Sequence, residues 1–219
     1  MVEACFVVSG DAPIARVGAP PTALTPAAEL AGTLPIEAIA GQLPKSYVVK
    51  GMFFTAHVAA LGDAFQALTS TLSAPPRFGR YVPFSDYPQA DYLRVSAATA
   101  AKTFPGLSIR EALRRLGRRD FGVFADSTFG KVILSVVGDA KSALLRVPMI
   151  YMKMAPGDWT VTGEDLGERS VRIEFAPVYG TWEYQLGQLE GVVLNYGNQP
   201  EITVTELPAR GLRFDVVYR

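Results

Sequence analysis

Histidine and cysteine are almost missing from this chain, and net charge is missing altogether. Among 219 residues there is one cysteine, Cys5, and one histidine, His57. A single thiol excludes an internal disulfide, a cysteine-rich zinc site and an iron–sulfur cluster. A single imidazole excludes any site built on two histidines, and leaves His57 as the only candidate base for Ser–His or Cys–His chemistry. Long apolar runs are absent too. Cys5–Val8 and Val132–Gly138 are core-sized, far short of the roughly 18–20 residues that span a bilayer. No nucleotide-binding glycine pattern occurs, because Gly130-Lys131-Val132 lacks both the upstream glycine and the hydroxyl after lysine. Glu3 precedes any basic side chain and Arg16 comes late, so no signal peptide is expected. The expected location is the cytoplasm, in keeping with a lone unpaired cysteine.

What is present is an ordinary globular composition, 49% hydrophobic and 19% charged. The 21 basic and 21 acidic residues cancel, yet they are unevenly placed. Residues 1–44 carry −3, residues 45–154 carry +8 and residues 155–219 carry −5. A basic middle can face a polyanion, or it can be neutralised by its flanks within the fold. The second reading is preferred, since non-specific nucleic-acid binders are usually basic overall.

Residues 1–43 are rich in alanine and proline and read as an extension. Within it, Cys5–Val8 suits one short strand, and Ala27–Ala31 and Ile36–Gly41 suit a turn or two of helix. Residues 44–219 read as a single domain. Met52–Leu61 is an apolar helix ended by Gly62, Ala64–Leu72 a second, and residues 88–103 a third, with Tyr92, Val95 and Thr99 on one face. Ser108-Ile109-Arg110-Glu111 has the form of a capping box and predicts a helix ending at Gly117. Phe121–Val137 predicts another, with Ala125, Phe129, Val132 and Val136 as its apolar stripe. The last third alternates instead. Trp159–Leu166 and Arg169–Phe175 are strand-like, Thr181–Tyr196 is an amphipathic helix, and Glu201–Leu207 and Leu212–Tyr218 are strands. Helices segregated before a β-β-α-β-β run predict an α+β fold, with N-terminal helices packed on a C-terminal antiparallel sheet.

Chemistry-bearing residues are sparse. His57, on an apolar helix, suits a buried neutral imidazole better than a haem or metal ligand. Arg110, Arg114, Arg115, Arg118 and Arg119 read as a solvated helix end, Glu111 standing four residues before Arg115 in the favourable order. Asp86 and Asp91, and Glu183 and Glu190, are the carboxylate pairs available for acid–base work. Gly187 and Gly191 sit in the last helix at a cost of about 1 kcal/mol each. That cost predicts a close backbone approach to the sheet, another helix, a second subunit or a ligand.

Five ordered blocks carry a resemblance. They are Lys50-Gly51-Met52-Phe53-Phe54, the run Tyr81–Pro88, the run Arg110–Gly117, Gly130-Lys131-Val132, and the run Tyr184–Gly191. Together they resemble a family of uncharacterised, largely myxobacterial proteins grouped as a domain of unknown function, over about residues 44–219. In element order the chain also resembles the fold shared by haem nitric oxide-binding domains, four-vinyl-reductase-type domains and transport-particle subunits. That likeness implies a pocket between helices and sheet, and often a dimer. The tyrosine–serine–arginine motif of the haem-binding branch is absent, and His57 comes too early for its ligand histidine.

The expectation is a non-enzymatic sensor or regulatory module that binds a small hydrophobic ligand or a partner protein, with a homodimer as one arrangement. No cofactor, metal, catalytic residue, nucleic acid or membrane span is expected. The ligand would meet Phe53, Phe54, Tyr87, Tyr92, Phe129, Trp182, Tyr184, Gly187, Glu190 and Gly191. The alternatives are a ligand-free scaffold that uses the last helix as an interface, and an enzyme using Glu190 or Asp86.

Overall fold

Strict alternation in the last third has one structural outcome, a sheet with one buried face. In the computed structural model the elements run β1 (Cys5–Ser9), β2 (Ala12–Arg16), α1 (Ile36–Gln42), β3 (Val48–Lys50), α2 (Met52–Leu61), α3 (Ala64–Leu68), β4 (Asp86–Pro88) and α4 (Gln89–Thr103). They continue with α5 (Ile109–Asp126), α6 (Thr128–Leu134), α7 (Ala140–Met154), β5 (Thr160–Gly167), β6 (Ser170–Ala176), α8 (Glu183–Asn195), β7 (Pro200–Leu207) and β8 (Gly211–Tyr218). The structure describes residues 30–77, 79–179 and 181–219 and the backbone of β1 and β2; the side chain of Phe129 lies outside the described residues. The helix expected at Ala27–Ala31 falls largely outside them as well.

The fold is α+β. An antiparallel sheet in the order β2-β1-β7-β8-β6-β5 forms one layer. Val171, Ile173 and Phe175 of β6 lie opposite Val216, Phe214 and Leu212 of β8, and all six are buried. Ile202 and Val204 of β7 extend this face. Against it pack Leu144 and Val147 of α7 and Leu186, Leu189 and Val193 of α8. The opposite face is laced by Arg172–Asp215 and Arg213–Glu174 pairs, each 2.7 Å. A second core, around Phe54, Leu61, Phe65, Tyr81 and Val95, joins α2 to α4. Among the described residues, no helix is long and apolar enough to cross a membrane.

Three helix expectations change. Gly117 does not end α5, which runs on to Asp126. Its missing side chain is used for packing, since a methyl group there would strike the carbonyl of Tyr184 in α8. Phe121–Val137 is not one helix. Ser127 is extended and accepts the N–H of Gly130 at 2.9 Å, starting α6 afresh. Of the predicted stripe, Val132 and Val136 are about two-thirds exposed. Residues 140–154 form α7, an element missing from the sequence expectation. Asp139 caps it on Ser142 at 2.7 Å, and it carries Pro148 in its interior.

The capping box is half used. Ser108 accepts from the Glu111 N–H at 3.1 Å, while the Glu111 carboxylate turns to Arg114 and Arg115 instead. Gly187 answers the question of close approach. It faces the Arg114 carbonyl of α5, with which a methyl group would collide. It is also buried, so α8 meets α5 of the same chain there and offers no surface to a second subunit.

Gly187→Ala is therefore expected to lower unfolding free energy by about 1–3 kcal/mol, read by urea denaturation. Unchanged stability would show that α5 and α8 can part at this crossing without cost.

Candidate functional site

The α5–α8 contact accounts for most of the basic cluster. Arg114, on α5, is fully buried, and its Nε lies 3.0 Å from Glu190 Oε1 of α8. Glu111 takes its Nη1 at 3.2 Å. Arg118 reaches Glu190 Oε2 at 2.8 Å, and Arg110 reaches Glu183 at 2.5 Å beneath the Trp182 ring. The cluster is thus not a solvated helix end. The positive middle of the chain is neutralised by the acidic last third across a helix–helix seam. Burial pushes the Glu190 carboxyl up, against the downward pull of Arg114 and Arg118.

Beside this seam lies a cavity of about 160 Å³, walled by α4, α5, α7 and α8. Its lining is mainly apolar and includes Phe53, Leu93, Leu113, Phe121, Val147, Trp159 and Val192. Three residues named from sequence line it: Phe53, Tyr92 and Tyr184. Others are placed elsewhere. Phe54 and Tyr87 belong to the α2–α4 core, where Phe54 stacks on Tyr81 at 4.3 Å and Tyr87 accepts the Val82 N–H. Trp182 is covered by Arg110. Glu190 is held by arginines. Gly187 and Gly191 face α5, a Cβ on Gly191 falling 2.7 Å from that of Phe121. Gly187, Glu190 and Gly191 therefore meet α5 of the same chain and leave the cavity to other residues of α8.

A polar cluster forms one wall. Tyr184 donates to Asp120 Oδ2 at 2.9 Å, and the Tyr92 and Tyr184 hydroxyls meet at 2.7 Å. His57 Nε2 lies 3.2 Å from Asp120 and 3.1 Å from Tyr92. The tautomer protonated at Nε2 places that proton on the carboxylate and leaves Nδ1 buried without a partner. Burial lowers the His57 pKa against the pull of Asp120, and raises those of Tyr92 and Tyr184. All three rings are neutral near pH 7. Asp120 also pairs with Arg119 at 3.1 Å. Sequence reasoning missed Asp120. It lies one turn past Gly117, where the helix was expected to have stopped.

Other lining residues have polar atoms left over. Tyr47 Oη, Gln89 Oε1 and Gln185 Oε1 are buried with no partner, and such a group costs about 1–3 kcal/mol unless something satisfies it.

This arrangement suits a haem poorly. Haem iron takes an axial side chain, yet His57 does not line the cavity and its Nε2 is engaged. The tyrosines of the cluster are held protonated. Among the described lining residues there is no lysine or arginine for the two propionates, and the one ionisable carboxyl is Asp120. The volume is below the roughly 300–1,000 Å³ of ordinary cofactor sites.

Two outcomes test this geometry. Glu190→Ala, which leaves Arg114 with Glu111 and takes the carboxylate from Arg118, is expected to cost about 3–5 kcal/mol of stability; replacing Arg114 and Glu190 together by methionine should recover most of it. The folded chain binds fewer protons at His57 than the unfolded chain just below the free imidazole value of about 6.5. Stability should thus be full above about pH 6.5 and fall as the pH drops below it. His57→Gln should remove that part of the slope in urea denaturation.

The family described as "Protein of unknown function (DUF2378)" matches residues 43–218. No curated protein matches the chain. Solved structures do. An Fe(II) unliganded H-NOX protein from K. algicida, in a single-site variant, superposes with a TM-score of 0.60 at 19% identity, covering 78% of this chain and 96% of that one. An H-NOX protein from S. oneidensis in the Fe(II)NO ligation state gives 0.61 at 14% identity, covering 78% and 99%. At these identities the shared property is the fold.

Proposed function

The chain belongs to that family of unknown function, and from this premise we propose that it is a sensor or regulatory module whose cavity takes a small, predominantly apolar molecule. The cavity between α4, α5, α7 and α8 carries this reading. An empty apolar space of about 150 Å³ stays dry and takes up a molecule of benzene size, and the volume here is comparable. The shared fold with H-NOX proteins, one of them in an Fe(II)NO ligation state, supports a small ligand as an analogy of fold.

The module is read as non-enzymatic. Glu190 is locked between two arginines, and Asp86 lies at the surface, paired with Lys50 at 2.6 Å. The Nδ1 atom of His57 is buried without a partner, and His57 does not line the cavity. A nucleic-acid role is not favoured, because Arg110, Arg114 and Arg118 are spent on Glu183 and Glu190. A second reading, a partner-protein surface, draws on the exposed Val123, Val132 and Val136.

Isopropylbenzene is expected to raise the Tm of the wild-type chain. Val192→Phe, which fills the cavity from α8, should abolish the shift with unchanged circular dichroism. A shift that survives in Val192→Phe would remove the ligand from this cavity and favour the surface reading.

A further inference from the structure

Resting on the cavity reading above, we propose that Tyr47, Gln89 and Gln185 form a polar recognition subsite. It selects a neutral ligand with an amide or hydroxyl head over the corresponding carboxylate. The three come from separate elements: the segment before β3, the first residue of α4 and the first turn of α8. Each lines the cavity, and each has a buried oxygen without a protein partner.

Tyr47 is 2% exposed, so its hydroxyl is shielded from bulk solvent. Its ring is fixed by Trp159 and Tyr179, at 5.9 and 5.6 Å between centroids. Its carbonyl accepts the Gln89 backbone N–H at 2.9 Å, which ties two of the three residues together. A hydroxyl both donates and accepts, and a glutamine amide can present either end after a flip. The set therefore matches a head group with a donor and an acceptor side by side, as in a carboxamide.

Charge selects against an acid. No described lining residue is cationic, and Asp120 is the one carboxylate among them. Arg119 is committed to Asp120 from outside the lining. A carboxylate entering here would lose its water and gain no counter-ion.

Three probes with nine heavy atoms separate shape from chemistry: isopropylbenzene, benzamide and benzoate. Calorimetric titration of the full chain is expected to rank benzamide about tenfold tighter than isopropylbenzene, with benzoate not detectably bound at pH 7. Tyr47→Phe and Gln185→Leu should each erase the benzamide preference while isopropylbenzene binds as before, which also shows the variants are folded. If isopropylbenzene binds the wild type as tightly as benzamide, the three oxygens are served by ordered water and the subsite is overturned. The same holds if Tyr47→Phe and Gln185→Leu keep the preference, or if benzoate matches benzamide. Failure of all three probes to bind overturns the cavity reading itself, and the subsite with it.

Discussion

A guanidinium with no exposure to water dictates how the two halves of this chain meet. Arg114 stands on α5 with carboxylates on both sides, Glu111 from its own helix and Glu190 from α8. A buried charge is tolerated only where partners satisfy it, so α8 must lie close enough for Glu190 to reach. That closeness is made by glycine. Gly117 on one helix and Gly187 on the other leave the backbones nearly touching, at a helix-propensity cost of about 1 kcal/mol each. The ion pairs also fix the relative register of the helices, because Arg110, Arg114 and Arg118 recur at one-turn spacing against Glu183 and Glu190.

This seam anchors the site. α8 lies between α5 and the sheet, so its Leu189 and Val192 close the cavity from one side, while Leu113, Asp120 and Phe121 close it from α5. The wall that Asp120 supplies is polar yet uncharged in effect. Its carboxylate is absorbed by Arg119, Tyr184 and His57, and the rings around it are kept neutral by burial. A space with apolar sides, a compensated wall and unsatisfied oxygens on Tyr47, Gln89, Ser96 and Gln185 suits a neutral guest and suits a haem poorly, although H-NOX proteins share the fold.

Much of the architecture was legible in single elements. The alternation of Val171, Ile173 and Phe175 specified one buried face of a strand, and the amphipathic run Thr181–Tyr196 specified α8. The net charges of +8 and −5 in the two larger parts anticipated that they would neutralise each other. The candidate site was less legible. Phe53, Tyr92 and Tyr184 reach the cavity, but Phe54 and Tyr87 point into a neighbouring core. Aromatic content reports that a residue is buried and carries no record of what lies beside it. Val132 and Val136 had helical spacing and still face solvent, since Ser127 ends one helix and starts another.

By itself, the sequence determined the class of fold, the alternating strands, the capping of α5 at Ser108 and the exclusion of chemistry that needs two thiols or two imidazoles. These follow from local spacing and from counting. Tertiary structure alone decided that Gly117 continues a helix, that Arg114 is buried, and that His57, Asp120, Tyr92 and Tyr184 share one cluster. Each of those outcomes joins residues far apart in the chain. A glycine that terminates a helix and one that admits a neighbouring backbone look the same in sequence, and only the approaching helix distinguishes them.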